Sequence, residues 1–260
     1  MQVHYMRKRH LEQASRMNQE LRMAIEFQRR LLAVNPPEGI TGIVPSWHQS
    51  NVDDHGVGGD YLDIRSGPDG CYAVLLGDVS GHGMRTAFVA AMLKAVLTPE
   101  FVAQEEWISA PSAFLAWLNT RMCEITDQFP DMFVAFSACV VDPDAGTITY
   151  SSAGNPLPLH QRGNHIEPVE VYGVALGVNS DAEYYDRTLP LRPGDALYLY
   201  TDGLHLPEEG RERADRETIY RAILEAGCRR PLAGVVDHLR HLATTDALTD
   251  DLTAVRLLAE

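Results

Sequence analysis

From residue 40 to the C-terminus, short runs rich in Val, Ile, Leu, Tyr and Phe recur, bounded by Gly, Pro, Asp or Asn. Gly59–Ile64, Cys71–Val79, Met132–Val141, Thr147–Ser152, Tyr184–Leu189, Ala196–Thr201 and Leu252–Leu258 read as strands on that basis. Asp142-Pro143-Asp144-Ala145-Gly146 lies between two of them, and its residue types predict a hairpin turn. Helices are expected at Met84–Leu97, Pro111–Asp127, Arg213–Ala226 and Leu232–Ala243. Strands joined by hairpins, with helices inserted in pairs, predict an α+β layered fold. A doubly wound parallel sheet would need strict alternation of strand and helix.

The first 35 residues form a different unit. From about residue 8 to Val34 there is no Gly or Pro, and Gln, Glu, Arg, Leu, Met and Ala dominate, all good helix formers. Met17, Leu21, Ala24, Gln28 and Leu31 recur at alternating steps of four and three, which is heptad spacing, and Leu11, Ile25 and Leu32 widen the apolar stripe. Such a helix either packs on its own domain or pairs with a second copy, continuing from an upstream sensor. Asn35-Pro36-Pro37 ends it, because neither proline can continue a helix. Charge marks the same boundary. Residues 1–34 hold seven Lys/Arg against three Glu, so the rest of a chain of net charge −14 carries −18. The expected domains are 1–35, a signalling or dimerisation helix, and 36–260.

That acidity disfavours nucleic acid and anionic membranes as partners. No apolar run reaches the ~20 residues of a membrane span, and no apolar segment follows Arg7, Lys8 and Arg9 as a signal peptide requires. Cys71, Cys123, Cys139 and Cys228 share no CxxC pair or regular spacing and read as reduced thiols of a cytoplasmic protein.

Four segments put an aspartate at the lip of a strand: Gly58-Gly59-Asp60, Gly77-Asp78-Val79, Thr201-Asp202-Gly203 and Thr249-Asp250-Asp251. One such aspartate is ordinarily a turn former or helix cap. Four together would repel one another unless hard cations neutralised them, and glycines let a backbone carbonyl complete a metal shell. An oxygen-only set suits Mg²⁺ or Mn²⁺, since zinc favours His or Cys. Two such ions about 3.5–4 Å apart activate water and clamp a phosphoryl group. Competing readings fail on residue type. The Gly77–Gly83 turn lacks the Gly-Lys-Ser/Thr of a phosphate loop, Ser80 is in no GxSxG elbow, and Gly56–Asp60 precedes a strand.

In chain order, GGDYLD, LLGDVSGHG, FVAFSACVVD with its hairpin and AGNPLPL, GVALGV, YLYTDG and TDDLT resemble the PPM phosphatase family, in its bacterial SpoIIE/RsbU-like branch. The resemblance spans about residues 40–258. It implies a four-layer α-β-β-α sandwich of two antiparallel sheets with an N-terminal helical extension. The implied activity is hydrolysis of phosphoserine or phosphothreonine by water activated on two Mn²⁺ or Mg²⁺ ions. By motif, Asp78 resembles the bridging ligand with the Val79 carbonyl assisting, and Asp60, Asp202 and Asp250 resemble the other ligands. Asp63, Asp251 and Gly203 would support them. His82 either protonates the leaving oxygen or orients the Asp78 loop, and its spacing from Asp78 favours the second role. Gly154 runs directly into Asn155 where the branch commonly carries a histidine, and no arginine near Gly58 matches the phosphate grip of eukaryotic relatives.

The resemblance further implies a phosphorylated anti-sigma-factor antagonist of STAS type as substrate, and an upstream sensor or receiver domain acting through the N-terminal helix, with the chain as output domain of a response regulator. The alternative is a catalytically silent adaptor on the same fold, binding a sigma factor or regulatory partner. Retention of all four metal-type carboxylates counts against it.

Overall fold

The computed structural model describes residues 2–50, 58–81, 83–103, 110–127, 129, 131–204, 219–221, 223–225, 231–242 and 250–260. Helix α1 (Gln2–Leu31) precedes β1 (Ile43–Ser50), β2 (Asp60–Ser66) and β3 (Tyr72–Val79), then α2 (Met84–Ala103) and α3 (Pro111–Thr126). Next come β4 (Val134–Asp142), β5 (Thr147–Ala153), β6 (Leu159–Arg162), β7 (His165–Pro168), β8 (Arg187–Pro190) and β9 (Ala196–Tyr200). Helix α4 (Leu232–Leu242) and β10 (Leu252–Ala259) complete the chain.

The strands form two antiparallel sheets, β1-β10-β9-β6-β7 and β2-β3-β4-β5-β8. Because side chains alternate along a strand, each sheet offers one apolar face to the other. Leu62, Ile64, Val74, Leu76, Val141 and Ile148 of one sheet meet Ile43, Leu197, Leu199, Val255 and Leu257 of the other. The outer face of the second sheet carries Tyr61, Leu75 and Phe136, covered by Leu93 and Leu97 of α2 and Leu115, Leu118 and Met122 of α3. Val235 and Val236 of α4, with Ile219 and Ile223, cover Tyr198, Tyr200 and Ala254 on the other side. The result is the expected α-β-β-α sandwich.

The seven expected strands all correspond to elements, with one shortened. Of Tyr184–Leu189 only the end is strand; Tyr184 is instead a buried loop residue whose hydroxyl donates to the Val174 carbonyl at 3.0 Å. Strands β1, β6 and β7 have no counterpart in the sequence reading. β1 is an edge strand containing Pro45 and mostly half-buried positions, so it shows no clean alternation. β6 and β7 have four residues each, too few to display a period. Of Arg213–Ala226, residues 219–221 and 223–225 are helical and the rest lie outside the described residues. The Asp142 turn closes as expected: the Ala145 amide donates to Asp142 Oδ1 at 2.8 Å, and Gly146 takes φ +64°.

The buried stripe of α1 differs from the expected heptad. Ile25 and Gln28 are buried and Leu21 and Leu32 half-buried, whereas Met17 and Ala24 are exposed. Ile25 and Leu21 pack on Ala87 of α2. At 100° per residue, residues 21, 25, 28 and 32 share one narrow face, and residues 17 and 24 lie at its margin.

Candidate metal centre

The antiparallel register of β2 and β3 sets Asp60 directly opposite Asp78, so the first residue of one strand meets the penultimate residue of the other. Asp202 opens the short 3₁₀ turn after β9, and Asp250 stands two residues before β10. β9 and β10 are neighbours in the other sheet, which brings all four aspartates to one end of the sandwich. Asp60 crosses between the sheets. Its Oδ2 accepts from Thr253 Oγ1 at 2.6 Å and from Thr201 Oγ1 at 3.1 Å, while Oδ1 is buried without a hydrogen-bond partner.

Glycines allow the crowding at this end. A Cβ at Gly203 would lie 1.8 Å from the Asp251 carbonyl oxygen, and one at Gly59 would lie 3.0 Å from the Val79 carbonyl. Asp251 Oδ2 accepts from the Gly59 amide at 2.8 Å, and the Asp251 amide donates to Asp250 Oδ1 at 2.8 Å. Asp251 thus ties the Asp250 turn to the loop that presents Asp60.

The electrostatics are those of buried carboxylates crowded together. Burial chiefly, then the charges of Asp251 and Asp202, push Asp60 up to about 7 against the lowering effect of the threonine hydroxyls. Asp78 is raised further, by burial first, then by Asp60 and Asp202, with which it also hydrogen-bonds, and by Asp250. Among the described residues no three carboxylate, imidazole or thiol groups converge on one ion-sized point. The groups meet in pairs, Asp78 with Asp202 and Asp60 with its threonines. The donor set nonetheless fits a hard divalent cation. It is all oxygen, one buried carboxylate oxygen is unpartnered, and the raised carboxyls share an environment that positive charge would relieve.

Asp63 does not join them. Three residues from Asp60, an odd step along a strand, its side chain emerges on the opposite face of β2. There its Oδ2 accepts from Tyr61 at 2.8 Å, Arg65 Nε at 2.7 Å and Lys94 of α2 at 2.8 Å. It braces the strand against α2 rather than supporting the metal-type aspartates. His82 lies outside the described residues. The sequence reading missed Thr201 and Thr253, although each lies next to or near a motif aspartate. It also missed Gln28, whose Nε2 donates to the Gly58 carbonyl at 3.2 Å and the Ala87 carbonyl at 3.1 Å.

The chain is similar to known proteins. The family described as Stage II sporulation protein E (SpoIIE) matches residues 68–258. The phosphoserine phosphatase RsbU of Bacillus subtilis (strain 168) is 25% identical over 248 residues, 92% of this chain and 69% of that protein. The SiaA-PP2C domain of Pseudomonas aeruginosa superimposes with a TM-score of 0.75 at 19% identity, over 95% of this chain and 98% of that one. A Mycobacterium tuberculosis structure holding RsbU and RsbW domains gives a TM-score of 0.69 at 24% identity, over 88% of this chain. The present chain spans only 62% of that structure.

Proposed function

The chain belongs to the SpoIIE family of protein serine/threonine phosphatases, and from that premise we propose that it hydrolyses phosphoserine or phosphothreonine on a regulatory protein with the aid of two divalent cations. The observation that carries the site assignment is Asp60, whose buried Oδ1 has no partner beside an Asp78 made reluctant to ionise by its neighbours. Asp60, Asp78, Asp202, Asp250 and the Val79 carbonyl would hold Mn²⁺ or Mg²⁺, in keeping with the PP2C-type fold. The bound cations supply Lewis-acid polarisation of the phosphoryl oxygens and a water acidic enough to attack at neutral pH.

The chain's own residues do the rest. Thr201 and Thr253 fix one oxygen of Asp60 and leave the other, buried, without a hydrogen-bond partner. Asp251 holds the Gly59 and Asp250 segments in register, and Gly203 lets the Asp202 turn come against it. The Asp78 carboxyl hydrogen-bonds to Asp202, which joins the end of β3 to the turn after β9. The substrate proposed is a STAS-type anti-sigma-factor antagonist, which places the protein in the cytoplasm. Among the described residues no helix is long and apolar enough to cross a membrane.

Residues 1–35 are proposed as the regulatory input to the 36–260 domain. Gln28 joins α1 both to α2 and to the loop before Asp60, so a shift of α1 is felt at the site. Met23 and Phe27, one turn apart on α1, are 59% and 69% exposed, an apolar pair suited to a second copy or an upstream sensor or receiver helix.

The test is p-nitrophenyl phosphate hydrolysis against Mn²⁺ concentration for wild type and Asp202→Asn. Activity that needs Mn²⁺, is abolished by chelation and falls steeply in the variant is expected. Neither turnover nor Mn²⁺ binding would defeat the enzyme reading and leave the silent adaptor.

A further inference from the structure

Beside the four aspartates opens a cavity of about 410 Å³ that they alone do not explain. Asp78, Asp202 and Asp250 line one part of it, and Phe133, Pro156, Leu157, Tyr200, Ile219 and Tyr220 line much of the remainder. Ligand pockets span roughly 300–1,000 Å³, so this one has room for a phosphoryl group and a neighbouring side chain. We infer that this apolar wall is a specificity subsite that takes an apolar side chain adjacent in sequence to the phosphorylated residue. The inference rests on the phosphatase reading and adds to it the chemistry of the substrate segment.

Two features hold the wall in place relative to Asp78. Phe133 is 42% exposed, yet its backbone is fixed: its amide donates to Ser80 Oγ at 2.9 Å, and the Ser80 amide donates to the Phe133 carbonyl at 3.0 Å. Ser80 follows Asp78 by two residues, so this rim moves with the strand end that delivers the central carboxylate. Across the cavity, buried Asn155 donates to the Leu76 carbonyl at 3.1 Å and to Ser137 Oγ at 2.9 Å. That clamp pins Pro156 and Leu157 to β3 and β4. Both walls are thus tied to β3, which carries Asp78 next to its last residue, and a peptide held by its phosphate presents its next residue to them.

Charge decides which side chain fits. No Lys or Arg occurs among the described lining residues, and three carboxylates face the same space. A flanking acidic residue would find no basic side chain among the described lining residues, and a polar one would leave water for Phe133, Pro156, Leu157 and Ile219, which carry no polar side-chain atom. An aliphatic or aromatic side chain loses only water.

Phosphoserine peptides with Leu or the similarly sized Asn on either side of the phosphorylated residue test this on the full chain in Mn²⁺. A preference for Leu of about tenfold in kcat/KM at one flanking position is expected. Leu157→Asn and Phe133→Ser, each checked for folding by its thermal melt, are expected to reduce it to within about twofold. Equal rates for Leu and Asn at both positions, or full preference in both variants, would overturn the inference. If no peptide or p-nitrophenyl phosphate is turned over, the phosphatase reading fails. Calorimetric Kd values for the same peptides then decide the subsite, with equal affinity counting against it.

Discussion

Replacing Asp60 with Asn is expected to stabilise the metal-free protein above neutral pH, although it removes a proposed metal ligand. In the folded chain Asp60 titrates near 7, against 3.8 for an unperturbed aspartate. At about 1.4 kcal/mol per pKa unit, ionising it in the folded state costs about 4 kcal/mol above pH 7. The sign follows from the raised folded value. Stability from this group is fully present below pH ~4 and is lost as pH rises through 7. Asparagine does not titrate and its amide oxygen still accepts from Thr201 and Thr253. It gives back roughly 1–2 kcal/mol because its amide NH₂ takes the buried position of the partnerless Oδ1. A net gain of about 2–3 kcal/mol remains, or roughly 5–10 °C in Tm for a chain of this size. The assay is thermal unfolding in EDTA at pH 5 and 8.5, then with Mn²⁺. The variant is expected to melt higher than wild type at pH 8.5, by much less at pH 5, and to gain less from Mn²⁺. Asp78 is present in both proteins, so the difference isolates Asp60 and its coupling to Asp78. Wild type and variant with the same pH dependence in EDTA would show that Asp60 is not the burdened group described.

Metal binding is expected to release protons, because Asp60 and Asp78 both hold them near neutrality. Apparent Mn²⁺ affinity then rises from about pH 6 to 9, and calorimetry in buffers of different ionisation enthalpy reads the release directly. Gly203→Ala forces a Cβ to 1.8 Å from the Asp251 carbonyl oxygen. Loss of Mn²⁺-dependent activity together with a lower Tm is expected, and wild-type values for both would contradict that packing. Gln28→Ala leaves the Gly58 and Ala87 carbonyls without their side-chain donor, at a cost of about 1–3 kcal/mol by chemical denaturation. Lys94→Met removes one of the two cations on Asp63, which keeps Arg65 and Tyr61, and is expected to cost on the order of 2 kcal/mol, measured the same way.

The strand and helix assignments were legible because they depend on residues within a few positions of one another. Asp142 to Gly146 turns for reasons contained in those five residues, and Pro36-Pro37 ends the N-terminal helix wherever it packs. The aspartates could be singled out for the same reason: each stands beside a glycine or threonine at a strand lip. Even the exclusion of Asp63 was available in its odd spacing from Asp60.

What lay beyond the sequence were the contacts that stacking creates. Thr201 and Thr253 reach Asp60 across 141 and 193 residues of chain, and Asp251 reaches Gly59 across 192. No local pattern encodes those meetings, because they follow from how two sheets face each other and which strand ends coincide. The buried face of α1 belongs to the same class. Heptad spacing names the residues able to form a seam, but only the position of α2 puts Ile25 and Gln28 inside and leaves Met17 and Ala24 out. Residue type is enough to say that four carboxylates need a cation. Their burial, and hence how strongly they need it, is a property of the folded sandwich.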